Sequence, residues 1–127
     1  LDHKADIRVR IFGRDREDLL ANSLLALREI SVPGTLESEA FAEVVVSSID
    51  LSSLLIDFLN EVLFLSRTRY ESYSEVEFIE ISDTSLKGRL KGHKVDGFGE
   101  DIKAATHHGA EVSEGEHGLE ATIIFDV

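Results

Sequence analysis

The strongest constraint in the sequence is a strict alternation of apolar and polar residues near its start. Asp6, Arg8 and Arg10 alternate with the apolar residues of that stretch, which are Ala5, Ile7, Val9 and Ile11. A period of two predicts a β-strand with one buried and one solvated face. The other end of the chain contains a second strand-like run, residues 121–125, closed by Asp126. We therefore predict a strand at each end of the chain.

Pairing of these two end strands would bring two acids together. In an antiparallel pair the start of the first strand lies beside the end of the last, so Asp6 and Asp126 would meet at one edge of the sheet. Calcium binds carboxylate and backbone carbonyl oxygens, and the carbonyl of Val127 is the next one along the chain. These three residues are a candidate calcium site. The alternative is that both acids are merely exposed, as most acids are.

Composition narrows the class of protein. The 127 residues are 43% apolar and carry 25 acids against 13 Lys and Arg, a net charge of −12. This predicts one folded domain, residues 1–127, whose surface repels nucleic acid unless its bases are gathered in one place. The absence of cysteine excludes disulfides and thiolate metal sites. No apolar run approaches the roughly 18 residues of a membrane-spanning helix and no signal peptide is visible, so we expect a cytoplasmic protein without a membrane partner.

The spacing of apolar residues predicts the remaining elements. Asp15 and Asp50 are candidate N-caps, each in front of a run with helical spacing. On the second helix, the polar side that contains Asp57 and Asn60 is expected to be solvated. The predicted order is strand 5–11, helix 16–30, strand 41–47, helix 51–65, and strands 75–81, 86–95, 102–112 and 121–125. We predict an α+β fold, a single domain in which two helices cover one mixed β-sheet of about six strands.

The sequence offers little support for catalysis. No nucleophile-elbow, zinc-peptidase or phosphate-loop motif occurs, so we assign no catalytic residue. His107 and His108 are adjacent on a predicted strand, and adjacent strand residues point to opposite faces. That geometry argues against a metal ion shared by the two histidines.

Lys87, Arg89 and Lys91 form a basic stripe in an otherwise acidic chain. Because they alternate on a predicted strand, their side chains project from one face. One interpretation is that they keep the strand soluble and protect it from unwanted pairing, a common use of lysine. The other interpretation is contact with RNA phosphates or with an acidic surface of a partner protein.

Four segments of the chain resemble the archease family, in the family's order. Residues 2–7 (Asp-His-Lys-Ala-Asp-Ile) resemble its His-Thr-Ala-Asp start, and residues 57–64 resemble its central helix segment with Leu-Asn-Glu. Residues 102–108 (Ile-Lys-Ala-Ala-Thr-His-His) are similar to its Val-Lys-Ala-x-Thr-Tyr-His run, and residues 123–127 to its acidic C-terminus. The resemblance covers nearly the whole chain.

The resemblance implies a protein cofactor rather than an enzyme. Archeases assist the tRNA-splicing RNA ligase, which joins RNA ends through a guanylylated intermediate, by promoting ligase guanylylation and multiple turnover. The family's metal site, usually calcium, falls on Asp6, Asp126 and the carbonyl of Val127. His3 matches a family position close to that site, and Lys103 matches the family lysine. The alternative implied by the resemblance is a chaperone-like effect on a tRNA methyltransferase or another RNA-processing enzyme.

Two residues depart from the family pattern. Lys4 stands where the family has threonine, and His107 stands where it has tyrosine. Lys4 and Asp6 lie two apart on the predicted strand and therefore project from one face. An ammonium at this position can pair with Asp6 and compete with a cation, so we expect it to weaken metal binding.

Overall fold

Two helices and seven strands make up the described part of the chain, which in this computed structural model is residues 6–127. The predicted α+β class with two helices is confirmed. His3 and Lys4 lie outside the described residues. In chain order the elements are β1 (Ile7–Gly13), α1 (Arg16–Ser31), β2 (Leu36–Ser47), α2 (Leu51–Arg69), β3 (Glu71–Ile81), β4 (Ser85–Val95), β5 (Ala104–Thr106), β6 (Ser113–Gly115) and β7 (Gly118–Asp126).

The strands form two antiparallel sheets instead of the one mixed sheet that we predicted. In the first sheet β7 lies between β1 and β5 and also pairs with β6, and in the second β4 lies between β2 and β3. A strand–helix–strand order joins parallel neighbours when both strands belong to one sheet. However, β1 and β2 belong to different sheets, and β4 separates β2 from β3. Each helix therefore connects strands that are not hydrogen-bonded to each other.

Both helices begin at the predicted N-caps. The side chain of Asp15 accepts a hydrogen bond from the Asp18 N–H at 2.9 Å, and that of Asp50 accepts one from the Ser53 N–H at 2.7 Å. Each such cap satisfies a backbone donor that has no partner within the helix and stabilises by about 1 kcal/mol. The second helix continues past the predicted end to Arg69. Neither helix of residues 6–127 has the length and apolar content needed to cross a membrane.

Helix α2 is the main core element. One hydrophobic cluster joins it to the inner faces of both sheets, for example to Val44 of β2 and Phe125 of β7. The buried residues of α2 occupy most of its circumference, as expected for a helix at the centre of a core. They are Leu54, Leu55, Ile56, Phe58, Leu59, Val62, Leu63 and Leu65.

The predicted strand 102–112 is mostly not a strand. Only Ala104–Thr106 pairs, with β7, and the chain then turns where Gly109 has a φ of 69°. A positive φ is disfavoured for residues with a Cβ and is accessible to glycine. A short hairpin follows that we did not predict, in which β6 pairs with the start of β7. The predicted strand was therefore too long, because the prediction did not treat Gly109 as a turn residue.

Among residues 6–127, one carboxylate-bearing residue is buried, Glu71 at the start of β3. The residue is 6% exposed, the Tyr73 hydroxyl donates a hydrogen bond to its carboxylate, and Nζ of Lys94 lies 3.2 Å from that carboxylate. A buried charge is tolerated only with such partners. Burial, followed by the hydrogen bond to Glu71, raises the pKa of Tyr73 above its usual range.

We expect Tyr73 to make the protein lose stability at alkaline pH. Because its pKa is raised in the folded state, the phenolate forms first in the unfolded chain, so the contribution of Tyr73 is intact below about pH 10 and is lost above it. In Tyr73→Phe, the fall in unfolding free energy between about pH 8 and about pH 11 should be smaller than in the parent by about 1 kcal/mol. Urea unfolding at the two pH values measures this difference.

The matched control is Tyr70→Phe, which removes the chain's other tyrosine hydroxyl at an exposed position. This variant should lose as much stability as the parent over the same pH interval. An equal loss in Tyr73→Phe and in the parent would contradict the role given to Tyr73.

Candidate functional site

The pairing of β1 with β7 brings the two ends of the described chain together. It is antiparallel, with Ile7 opposite Phe125. Continuing the same register by one residue puts Asp6 opposite Asp126, and opposite residues in such a pair have Cα atoms about 4.5–5.5 Å apart. We call Asp6, Asp126 and the carbonyl of Val127 the acid edge. The register agrees with the predicted meeting of the two acids, while their role in metal binding stays a prediction.

Both acids lie on the outer face of the four-stranded sheet. Asp126 ends the series of half-exposed residues on β7 that alternates with its buried ones, Ala121, Ile123 and Phe125. Asp6 is exposed and shares its face with Arg8 and Arg10, which are also exposed. The acid edge is therefore accessible to solvent from the outer face.

Lys103 reaches the acid edge through the backbone. Its N–H donates a hydrogen bond to the Asp126 carbonyl at 2.8 Å, and the next residue, Ala104, lies opposite Asp126 in the sheet. The residue itself is exposed. The backbone of the lysine that the family resemblance singled out thus lies beside Asp126, on the side of β7 opposite to β1 and Asp6.

The donors of the acid edge suit a hard cation. Two carboxylates and a backbone carbonyl are oxygen donors, the kind that calcium prefers, and calcium accepts water at its remaining positions. Within residues 6–127, no group of three or more His, Cys, Asp or Glu side chains is placed to hold a metal ion. The acid edge has two carboxylates and one carbonyl. These donors would supply part of a calcium shell, in which Asp6 and Asp126 would hold the ion.

The polar side of α2 is partly covered, where we expected it to be solvated. The amide of Asn60 makes two hydrogen bonds with the backbone of Ala105: Nδ2 donates to the carbonyl at 3.0 Å, and Oδ1 accepts from the N–H at 2.8 Å. Three residues earlier, Oδ1 of Asp57 lies 3.1 Å from Nε2 of His107, and the Ser48 hydroxyl donates to the other oxygen of Asp57. Helix α2 thus holds the segment that follows Lys103.

Sequence reasoning missed these contacts because the partners are far apart along the chain. Asn60 and Ala105 are separated by 45 residues, and Asp57 and His107 by 50. The available signal was a short polar side on an otherwise apolar helix. Such a pattern shows that a polar side exists, and it does not show what covers that side.

The basic stripe projects from the exposed face of β4, in the sheet that does not contain the acid edge. Nζ of Lys91 lies 3.6 Å from Glu39 and 3.9 Å from Glu75, and the guanidinium of Arg89 lies 4.5 Å from the ring centroid of Phe41. Glutamates on β3 also lie opposite the other two members of the stripe. The stripe is thus surrounded by carboxylates, which favours the solubility interpretation over contact with phosphates.

We expect replacement of the whole stripe by glutamine, in the variant Lys87→Gln/Arg89→Gln/Lys91→Gln, to leave RNA affinity unchanged. Neighbouring carboxylates already offset these cations, and exposed ion pairs contribute less than about 1 kcal/mol each, so the loss of stability should stay within about 2 kcal/mol. Fluorescence anisotropy with single-stranded RNA at several salt concentrations measures the affinity. Weaker binding with a salt slope shallower by about 0.7 per lost phosphate contact would support the RNA interpretation instead.

Comparison with known proteins agrees with the resemblance seen in the sequence. The model of the archease protein family matches residues 1–127. The protein archease of Methanosarcina barkeri is 29% identical over an alignment of 136 positions, which covers 100% of this chain and 93% of that protein. The protein archease of Methanothermobacter thermautotrophicus is 30% identical over an alignment of 136 positions, which covers 99% of this chain and 95% of that protein.

Solved structures share the fold. A crystal structure from Thermotoga maritima, described as an archease and possible chaperone, has a TM-score of 0.74 at 19% identity and covers 100% of this chain and 94% of its own. The solution structure of Methanobacterium thermoautotrophicum protein 1598 has a TM-score of 0.69 at 25% identity and covers 100% of this chain and 96% of its own. Because the family model matches its full length, this chain belongs to the archease family.

Proposed function

We propose that this archease activates a guanylylating tRNA-splicing RNA ligase, with calcium bound at the acid edge. It acts as a protein cofactor that promotes guanylylation of the ligase and allows many turnovers, and it meets RNA only through the ligase. The observation that carries the proposal is the β1–β7 register, which continues to Asp6 opposite Asp126. On the other side of β7, the Lys103 N–H is bonded to the Asp126 carbonyl. The family resemblance assigns Asp6 and Asp126 to the metal site and matches Lys103 to the family lysine.

The chemistry of the acid edge supports this role. Calcium held by Asp6 and Asp126 would supply positive charge for phosphate oxygens at an exposed position. Lys103 adds a basic residue whose backbone N–H is bonded to the Asp126 carbonyl. In this proposal, the acid edge is the part of the protein that approaches the nucleotide site of the ligase. The net charge of −12 favours fast encounter with a basic surface more than it deepens affinity.

The alternative is a chaperone-like interaction with a tRNA methyltransferase or another RNA-processing enzyme. The observation in its favour is the description of the Thermotoga maritima structure as a possible chaperone. At 19% identity that likeness shows the fold alone. The functional test below distinguishes the two roles.

We expect calcium to stabilise the protein through Asp6 and Asp126. A ligand that binds only the folded state stabilises it by about 2.7 kcal/mol at a hundredfold excess over its Kd. The Tm of the parent should therefore be higher in calcium than in chelator, and in Asp126→Asn the two values should be equal. Lys4→Thr should enlarge the difference, because it removes an ammonium two residues from Asp6. Differential scanning calorimetry measures each Tm.

The control for the calcium effect is Asp83→Asn, which removes an exposed carboxylate in the turn between β3 and β4. This variant should respond to calcium as the parent does. Identical melting of the parent in millimolar calcium and in chelator would count against a calcium site at the acid edge.

The functional test is multiple-turnover joining of broken RNA with the ligase limiting. In the presence of GTP and a divalent cation, a small amount of this protein should raise ligase guanylylation and joining, whereas the protein alone should neither cleave nor join RNA. Stimulation should fall as salt rises, because salt screens the charges that speed encounter. Asp6→Ala and Asp126→Ala should fold and fail to stimulate, whereas Asp83→Ala should stimulate like the parent.

Failure of the parent to stimulate the matching ligase would overturn the proposal. If the same protein preparation protects a tRNA methyltransferase from aggregation, the chaperone-like alternative gains support. Stimulation that is unaffected by Asp6→Ala and Asp126→Ala would keep the ligase as partner and remove the acid edge from the mechanism.

A further inference from the structure

One edge of β5, the strand that follows Lys103, is hydrogen-bonded to a side chain instead of to another strand. β5 has three residues and pairs with β7 along one side. On the other side, the N–H and the carbonyl of Ala105 bond to Asn60 at 2.8 and 3.0 Å. The N–H and C=O of an antiparallel strand residue point to the same side. Asn60 therefore occupies the place that a further strand would take.

The amide of Asn60 matches the backbone group that it replaces. It combines a carbonyl acceptor with an NH₂ donor in one plane, as a peptide of a neighbouring strand would combine C=O and N–H. Asparagine is a poor residue for the interior of a helix, because its side chain competes for backbone hydrogen bonds. Its presence in α2 is explained by the two bonds to Ala105 and not by helix formation.

A displacement of β5 would move the backbone that is bonded to Asp126 at the acid edge. Ala105 is flanked by Ala104, which lies opposite Asp126, and two residues before it the Lys103 N–H donates to the Asp126 carbonyl. The Ala105 side chain is buried at 3% exposure. Apolar burial has no preferred direction, so burial of this side chain holds β5 against the core without fixing its position along α2. The two bonds from Asn60 are directional and fix the position of Ala105 along α2.

We propose that Asn60 is a positioning residue for the acid edge. It acts through the backbone of β5, and it keeps Lys103 and Asp126 in the arrangement that the edge requires. This inference rests on the proposed function in one respect, namely that the acid edge is a calcium site. The position of β5 itself can be measured without calcium and without the ligase.

Two substitutions test the contributions of the two hydrogen bonds of Asn60. Asn60→Leu keeps a side chain of similar size and removes both bonds, and Asn60→Asp keeps the acceptor for the Ala105 N–H while removing the donor to its carbonyl. The matched control is Asn22→Leu. It removes another asparagine bond from a helix to the same sheet, because Nδ2 of Asn22 donates to the Phe12 carbonyl at 2.7 Å, at the end of β1 away from Asp6.

The first measurement is amide hydrogen exchange by NMR without calcium. The exchange rates of Lys103 and Ala105 are divided by that of Leu90 in the central strand β4, which corrects for changes in global stability. In Asn60→Leu both ratios should rise at least about tenfold. In Asn60→Asp the Ala105 ratio should stay low, because its N–H keeps an acceptor. In Asn22→Leu both ratios should equal those of the parent.

The second measurement is calcium affinity by isothermal titration calorimetry. Asn60→Leu should raise the calcium Kd at least about fivefold, whereas Asn22→Leu should leave it unchanged. Unchanged exchange ratios in Asn60→Leu would overturn the inference. Faster exchange with an unchanged Kd would also overturn it, because Asn60 would then hold β5 without affecting the site.

Failure of the proposed function gives a different result. A parent that does not stimulate the ligase leaves both measurements valid, since neither contains ligase. If the parent binds no calcium, the metal is removed from the proposed function, and the exchange ratios at Lys103 alone decide whether Asn60 positions this edge.

Discussion

The antiparallel pairing of β1 with β7 is the contact on which the rest of the structure depends. It joins opposite ends of the chain, from Ile7 opposite Phe125 to Gly13 opposite Leu119. Such a pairing closes a long loop, and the loss of chain entropy must be offset by burial. The offset comes from the inner faces of the two strands, where Ile11, Ile123 and Phe125 are at most 5% exposed. The acid edge therefore exists only when the whole chain has folded.

Helix α2 links this pairing to the candidate site. Its apolar sides fill the core between the two sheets, and its polar side bonds to the segment that follows Lys103. A helix that is apolar around most of its circumference is normally fully enclosed. Here its remaining side is attached to β5 by Asn60 and to His107 by Asp57. The same helix thus stabilises the fold and sets the position of the third strand at the acid edge.

The parts of the fold that could be predicted from the sequence are those with local signals. The alternation around Asp6 and the caps at Asp15 and Asp50 depend on residues within a few positions of one another, and the structure contains the corresponding elements. The division into two sheets and the bonds between Asn60 and Ala105 depend on distant contacts. The acid edge was within reach because an antiparallel pairing of the end strands has a defined register. The contacts that cover the polar side of α2 could not be predicted, because no local sequence pattern indicates which residues make them.

The acid edge lies at one end of the β1–β7 pair. The ends of strand pairs open at low free-energy cost, and like charges facing each other across a pair oppose its closure. The net charge of −12 adds a general repulsion. A cation, or a cationic group of a partner, that neutralises Asp6 and Asp126 would therefore also stabilise the pair. Because such coupling is reciprocal, a partner that holds β1 against β7 would raise the affinity of the acid edge for the cation.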